Sequence, residues 1–178
     1  MAVMLSRLDG LTRDQARSLA DISLRWLACH GGKAQRPLLA SFLTRPDLTV
    51  EQAHIGIDIA LNHLSTDRSS KVRSVLSGVL RHPALDEGRR SRAIDSALRW
   101  LQEHGMLPKA RLVIEGLLIL PALSPSQRVH AMRLADCWLT RHGELPFADH
   151  LRSTLDAETL RDASREQLGA GSGPSARC

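Results

Sequence analysis

The chain has 178 residues and a formal net charge of +5, with 43% hydrophobic and 24% charged residues. This composition is typical of a globular chain and excludes wholesale disorder. No apolar run approaches the roughly 20 residues of a membrane-spanning helix, and the opening MAVMLSRLDG is too short and polar for a secretory signal, so no membrane partner is expected. Three scattered cysteines are too few for a disulfide framework and predict a reducing, cytoplasmic location: Cys29, Cys137 and Cys178.

An internal repeat dominates the sequence. Four similar segments begin at residues 23, 60, 97 and 135, and their landmark positions are spaced by 37, 37 and 38 residues: Trp26, His63, Trp100 and Trp138. A second set of landmarks keeps the same register: Leu11, Leu48, Leu85, Leu123 and Leu160. Because one such unit cannot bury its apolar face alone, the units are expected to stack. The pattern predicts an all-α fold, a right-handed α-solenoid of about four helix-turn-helix repeats with partial capping helices.

The repeat divides the chain into predicted elements. Residues 1–10 are expected to close a partial capping helix, and residues 158–168 to form a partial terminal helix. The tail over 169–178, GAGSGPSARC, has the composition of a flexible linker or a disordered terminus. Between these ends lie four predicted helical hairpins: 11–47, 48–84, 85–122 and 123–157.

The first helix of each hairpin carries a start signal. Thr or Ser followed three residues later by Gln is a capping box, and it occurs at Thr12, Thr49 and Ser124, whereas Asp86 is followed by Arg89. A His-Gly pair is expected to end the helix, with Gly31, Gly105 and Gly143 in a left-handed conformation. Arg68 replaces this glycine in the second hairpin, so either its φ angle is positive or the turn is rebuilt.

The second helices are predicted at about 33–44, 69–81, 108–119 and 146–156, where apolar residues recur at helical spacing. A proline closes each of the first three hairpins, because proline cannot continue a helix: Pro46, Pro83 and Pro121. No segment shows the alternation of a strand.

The units resemble tetratricopeptide-like (TPR/HEAT-type) helical repeats. The features in common are the small residue three positions before the aromatic one, as in Ala97 and Trp100, and a proline about 20 residues after it. The period of 37–38 residues is longer than the 34 of that family. The Ala-Leu-Arg-Trp-Leu unit also resembles the repeat arms of bacterial multidomain signalling ATPases. Both resemblances imply a non-catalytic protein or peptide scaffold without a cofactor, a sensor or recruitment module of a larger system.

A polar ridge follows the first helices, at equivalent positions of successive units: Asp21, Arg25, Asp58, Asn62, Asp95, Arg99 and Arg133. Asp21 with Arg25 and Asp95 with Arg99 have the i,i+4 spacing of helix-supporting ion pairs. The ridge is either a solvated helix face or a surface that binds acidic groups of a protein or peptide.

Other chemistry is weighed against this interpretation. His30, His104 and His142 recur at one position, where each is expected to cap the last carbonyls of its own helix rather than bind a metal. The recurring tryptophans are expected to pack at the turn between the two helices. Nucleic-acid binding by arginine is the alternative function, although the arginines are scattered and mixed with acids. No nucleophile–base pair is evident, which argues against an enzyme.

Overall fold

The computed structural model describes residues 12–30, 35–121 and 123–170, with side chains described up to residue 161. The predicted capping segment 1–10, Gly31 and most of the predicted tail lie outside the described residues. Within the described ranges every regular element is helical and no strand occurs, which confirms the all-α class. The same part of the chain contains no helix that is both long and apolar enough to cross a bilayer.

In the part of the chain that the structure describes, eight α-helices alternate between long first helices and, in the first three pairs, short second helices. Short 3₁₀ turns over Ser70–Val72 and Pro108–Ala110 lead into the fourth and sixth of them. The helices are α1 Arg13–Cys29, α2 Gln35–Leu43, α3 Val50–Thr66, α4 Arg73–Leu80, α5 Glu87–His104, α6 Arg111–Leu118, α7 Pro125–His142 and α8 Ala148–Ala170.

The predicted start signals are confirmed. Complete capping boxes precede α1, α3 and α7, with the side chains of Thr12, Thr49 and Ser124 accepting from the amide of the Gln three residues later. The Asp86 side chain accepts from the amide of Arg89 and begins α5. Each cap satisfies backbone amides that the first helical turn leaves without a carbonyl partner.

The predicted left-handed glycines are wrong where the structure describes them. Gly105 and Gly143 are right-handed, with φ of −59° and −61°. Steric crowding explains why glycine stands here, since a Cβ on Gly105 would lie 2.5 Å from the Leu101 carbonyl oxygen. The turn containing Arg68 is rebuilt: α3 ends at Thr66, and Asp67 takes an extended conformation with φ of −103°.

The predicted boundary at 157 is also wrong. A single helix, α8, runs through Ala148–Ala170 and unites the predicted second helix of the last hairpin, the predicted terminal helix and the start of the predicted tail. Leu160 keeps the spacing of the repeat landmarks, which is why a new helix was predicted there. The helix continues instead, because no proline interrupts this segment as one does after α2, α4 and α6.

Two kinds of packing build the core. The second helices α2, α4 and α6 pack on one another in order, and α3 packs between α1 and α5. Small residues allow close approach: a Cβ on Gly78 would lie 3.2 Å from Leu43, and one on Gly116 would lie 3.1 Å from Leu80. The last first helix, α7, instead packs mainly on α6 and α8. The first helix of the fourth hairpin therefore packs on the third hairpin differently from the way α5 packs on α3.

Candidate functional site

The seven ridge residues lie on the first helices as predicted, at equivalent positions of α1, α3, α5 and α7. Asp58 is half-buried and the other six are exposed. The predicted i,i+4 ion pairs are absent: neither Asp21 with Arg25 nor Asp95 with Arg99 is joined among the described residues. Their side chains take part in a different arrangement, which runs between helices rather than along one helix.

Residues on α1, α3 and α5 are bridged across neighbouring helices. The Gln52 amide Nε2 donates to Asp21 Oδ1 at 2.7 Å, which ties α3 to α1. The equivalent bridge ties α5 to α3, where Arg89 Nη2 donates to Asp58 Oδ2 at 2.6 Å. Gln52 and Arg89 are both the third residue of their helix, so the same bridge recurs in the same register.

Arg92 extends the second bridge. Its two terminal nitrogens donate to Asp58 Oδ1 at 3.2 Å and to Asn62 Oδ1 at 3.0 Å. Asp58 therefore accepts from two guanidinium groups of α5, and Asn62 accepts from one of them. Three of the seven ridge residues, Asp21, Asp58 and Asn62, thus hold helices together.

The remaining ridge residues have no such partner. In the described part of the chain, no hydrogen bond or ion pair engages the side chains of Arg25, Asp95, Arg99 or Arg133. Gln127 is the equivalent of Gln52, but it does not reach Asp95, because α7 packs on α6 and α8 instead of along α5. Three exposed cations and one exposed carboxylate are consequently open to solvent: Arg25 on α1, and Asp95, Arg99 and Arg133 on α5 and α7, which we name the open ridge.

Arg99 also borders a shallow depression. The depression lies between the end of α3 and the face of α5, and Leu64, Ser96 and Glu103 line it together with Arg99. Across it, Arg68 Nη1 lies 3.8 Å from Glu103 Oε1. The open ridge therefore adjoins a small site with an apolar floor and charged walls.

Tryptophan and histidine form a clamp between hairpins, defined by a Trp and the His four residues later. Trp100 Nε1 donates to the Ser69 carbonyl at 3.0 Å, and His104 Nε2 lies 2.7 Å from the Arg68 carbonyl. Trp100 is buried, which confirms the predicted packing at the turn. The predicted capping of its own helix by His104 is wrong, because the imidazole bonds to the preceding hairpin.

The last hairpin repeats this clamp. Trp138 Nε1 donates to the Leu107 carbonyl at 2.9 Å, and His142 Nε2 lies 2.8 Å from the Met106 carbonyl. His30 alone behaves as predicted, since its Nδ1 lies 3.0 Å from the Trp26 carbonyl of its own helix. The clamp, rather than a ridge bridge, therefore ties α7 to the third hairpin.

His63 occupies the tryptophan position of the second hairpin. Its side chain is buried, and its Nε2 has no hydrogen-bond partner and lies 3.4 Å from Asp67 Oδ2. Burial lowers the pKa of His63, and nearby Arg36 lowers it too, whereas the charge of Asp67 opposes the shift. Asp67 is itself held by Arg36, whose Nε donates at 2.6 Å.

A buried carboxylate among the second helices escaped the sequence analysis. Glu115 on α6 is 2% exposed and accepts from Arg81 at 2.9 Å and from Arg111 at 2.6 Å, while His150 Nδ1 lies 3.1 Å away. The sequence signal was an acid in a row of small residues, since Ala40 and Ser77 hold the equivalent positions. Three surrounding bases compensate its burial, which fits a structural role.

Other site chemistry finds no support in the described residues. No group of three or more His, Cys, Asp or Glu side chains there is placed to hold a metal ion. Cys29 and Cys137 are free and exposed. No protein-family model, curated protein or solved structure matches the chain. The candidate site therefore rests on the open ridge and its surroundings.

Proposed function

We propose that this chain is a cytoplasmic, non-catalytic scaffold that binds a protein or peptide carrying acidic groups. In this proposal the hairpins form a right-handed α-solenoid of four tetratricopeptide-like repeats, and the chain serves as a sensor or recruitment module of a larger system. The support from fold is the alternation of long and short helices with recurring bridges and clamps, which is what stacked repeats require.

The observation that carries the proposal is the division of the ridge. Arg25, Arg99 and Arg133 are exposed and have no partner among the described residues, whereas the ridge acids at 21 and 58 are used in bridges. A guanidinium presents planar donors that match a carboxylate in two parallel hydrogen bonds. Cations on α1, α5 and α7 therefore suit a ligand with several carboxylates spaced along its length.

Nucleic acid is the weaker candidate, because internal pairing removes many arginines from the surface charge. Arginines with a carboxylate partner include Arg36, Arg45, Arg81, Arg89, Arg111 and Arg128. A phosphate-binding surface needs cations concentrated on one face, and its affinity falls steeply with salt. The unpaired ridge arginines are instead accompanied by Asp95.

The test compares two triple variants that lose the same charge. One replaces Arg25, Arg99 and Arg133 by Ala; the control replaces Arg13, Arg17 and Arg141, which are also exposed. The probes are fluorescent synthetic peptides with clustered Asp and Glu, and a DNA duplex, each titrated at two salt concentrations.

We expect the ridge variant to bind the best acidic peptide about tenfold more weakly or worse, whereas the control binds as the wild type does. Both variants should melt within about 2 °C of the wild type, since exposed charges contribute little to stability. An equal loss of peptide affinity in both variants would show that net charge alone causes it and would contradict the proposal. Salt-sensitive binding of DNA in preference to every peptide would favour the nucleic-acid alternative.

A further inference from the structure

The clamp is a recurring interface with fixed chemistry. In both of its complete copies, an indole Nε1 donates to one turn carbonyl and an imidazole Nε2 meets the carbonyl of the residue before it. An apolar contact accompanies the second copy: Leu134 Cδ2 lies 3.7 Å from the place of a Cβ on Gly105. Each clamp thus joins a donor helix to an acceptor turn, and in the Trp138–His142 copy a leucine packs beside it.

The first helix carries a donor set that has no acceptor. Trp26 is half-buried, its ring stacks on His30 at 4.8 Å, and its Nε1 forms no hydrogen bond with any described residue. His30 uses Nδ1 on its own helix, and no described residue meets its Nε2. Ile22 stands where Leu134 stands in α7, yet it is 57% exposed.

The last turn carries an acceptor set that has no donor. Residues 143–147 are built like residues 105–109: Leu145 N donates to the His142 carbonyl at 3.0 Å, as Leu107 N donates to the His104 carbonyl at 3.0 Å. The carbonyls of Glu144 and Leu145 correspond to those that His142 and Trp138 engage one hairpin earlier. No indole or imidazole of the described residues reaches them.

We propose that copies of this chain associate head to tail, with α1 of one copy on the 143–147 turn of another. Trp26 donates to the Leu145 carbonyl, His30 engages the Glu144 carbonyl, and Ile22 packs over Gly143. The Trp138–His142 clamp supplies the template: the acceptor carbonyls of Glu144 and Leu145 lie 38 residues after those of Met106 and Leu107, and Trp26 and His30 hold the positions of Trp138 and His142 in the first repeat. The two surfaces differ, so the contact is heterologous: a dimer keeps one free α1 and one free 143–147 turn, and further copies add to them to form longer chains or a closed ring.

One side chain limits the strength of this contact. Arg152 Nη2 donates to the Gly143 carbonyl at 2.8 Å and would lie 2.9 Å from a Cβ on Gly143. Ile22 must displace the Arg152 side chain, which has room to move because it is about half exposed. The Arg152→Ala variant should therefore associate more tightly than the wild type.

The first experiment measures the mass of the full chain by sedimentation velocity over a range of concentrations. The weight-average mass of the wild type should rise past that of a dimer. Ile22→Asp should need about tenfold higher concentration for the same mass, whereas Val50→Asp, a control that is 66% exposed on α3, should match the wild type. A wild type that stays monomeric throughout would overturn the proposal, as would association that begins only when residues 1–11 are deleted.

The second experiment fixes the register. His142 Nε2 lies 2.8 Å from the Met106 carbonyl, and the corresponding pair between copies is His30 with Glu144. With Cys137 and Cys178 replaced by Ser, a short bismaleimide should link the Glu144→Cys variant through Cys29, which is exposed and adjoins His30, into a ladder of multimers. The matched control, Ser74→Cys on α4, should give no ladder. Equal ladders in both, or a dimer band alone, would contradict the head-to-tail geometry.

Discussion

The two halves of the polar ridge are built from equivalent positions and behave differently. From α1 to α5, acids at 21 and 58 accept from the third residue of the next helix, and the ridge joins hairpins. From α5 to α7, Asp95 has no such partner in the described residues, and the Trp138–His142 clamp makes the connection instead. A position that repeats in sequence is therefore structural in one half and open in the other, depending on where the next helix packs.

The largest loss of stability is expected when a clamp is removed. Trp138→Ala should lower the free energy of unfolding by about 3–5 kcal/mol, because a fully buried indole and its hydrogen bond are lost where no ridge bridge compensates. Trp26→Ala should cost about 1–2 kcal/mol, since that indole is half-buried and lacks the bond. Urea unfolding of both variants gives the difference. Equal losses would mean that the clamp does not secure α7.

A smaller difference in stability is expected between variants of two equivalent ridge acids, Asp58 and Asp95. Asp58→Ala should cost about 1 kcal/mol, because it releases two guanidinium groups of α5 from a partly exposed pair. Asp95→Ala should change stability by less than about 0.5 kcal/mol, as is usual for an exposed side chain without partners. Thermal melts of the two single variants suffice. A cost for Asp95→Ala as large as that for Asp58→Ala would remove the distinction between the two halves.

The smallest effect concerns the histidine that replaces a clamp tryptophan. Because burial lowers the folded pKa of His63, the unfolded chain takes up a proton first as the pH falls. The stabilising contribution of neutral His63 is therefore present above about pH 6.5 and is lost as the pH drops toward the folded pKa. His63→Leu should flatten the decline in Tm between about pH 7.5 and about pH 5.5, whereas the exposed control His130→Leu should not. An unchanged slope in His63→Leu would show that another group, such as buried His82, sets it.

The sequence predicted local structure better than it predicted contacts between hairpins. Capping boxes and prolines act within a few residues, so the starts of α1, α3, α5 and α7 were predicted correctly. The partners of Asp58 and His104 lie about 30 to 36 residues away, and no local pattern encodes them. The i,i+4 pairs were predicted from spacing alone, yet the neighbouring helix offered Asp21 a donor and left Arg25 free. Gly105 was a good signal for the helix end, but its cause is crowding by a carbonyl rather than a left-handed backbone.

The most direct measurement is an NMR spectrum of the arginine Nε–Hε groups, recorded before and during titration with the best acidic peptide. Arg89 donates from Nε to Asp58 at 3.2 Å, so its Hε should exchange slowly with water and keep its resonance throughout the titration. Arg99 and Arg133 should exchange quickly in the free protein and shift as the peptide binds. Resonances of Arg89 that move with the peptide while those of Arg99 and Arg133 stay fixed would contradict the division of the ridge into a structural half and an open half.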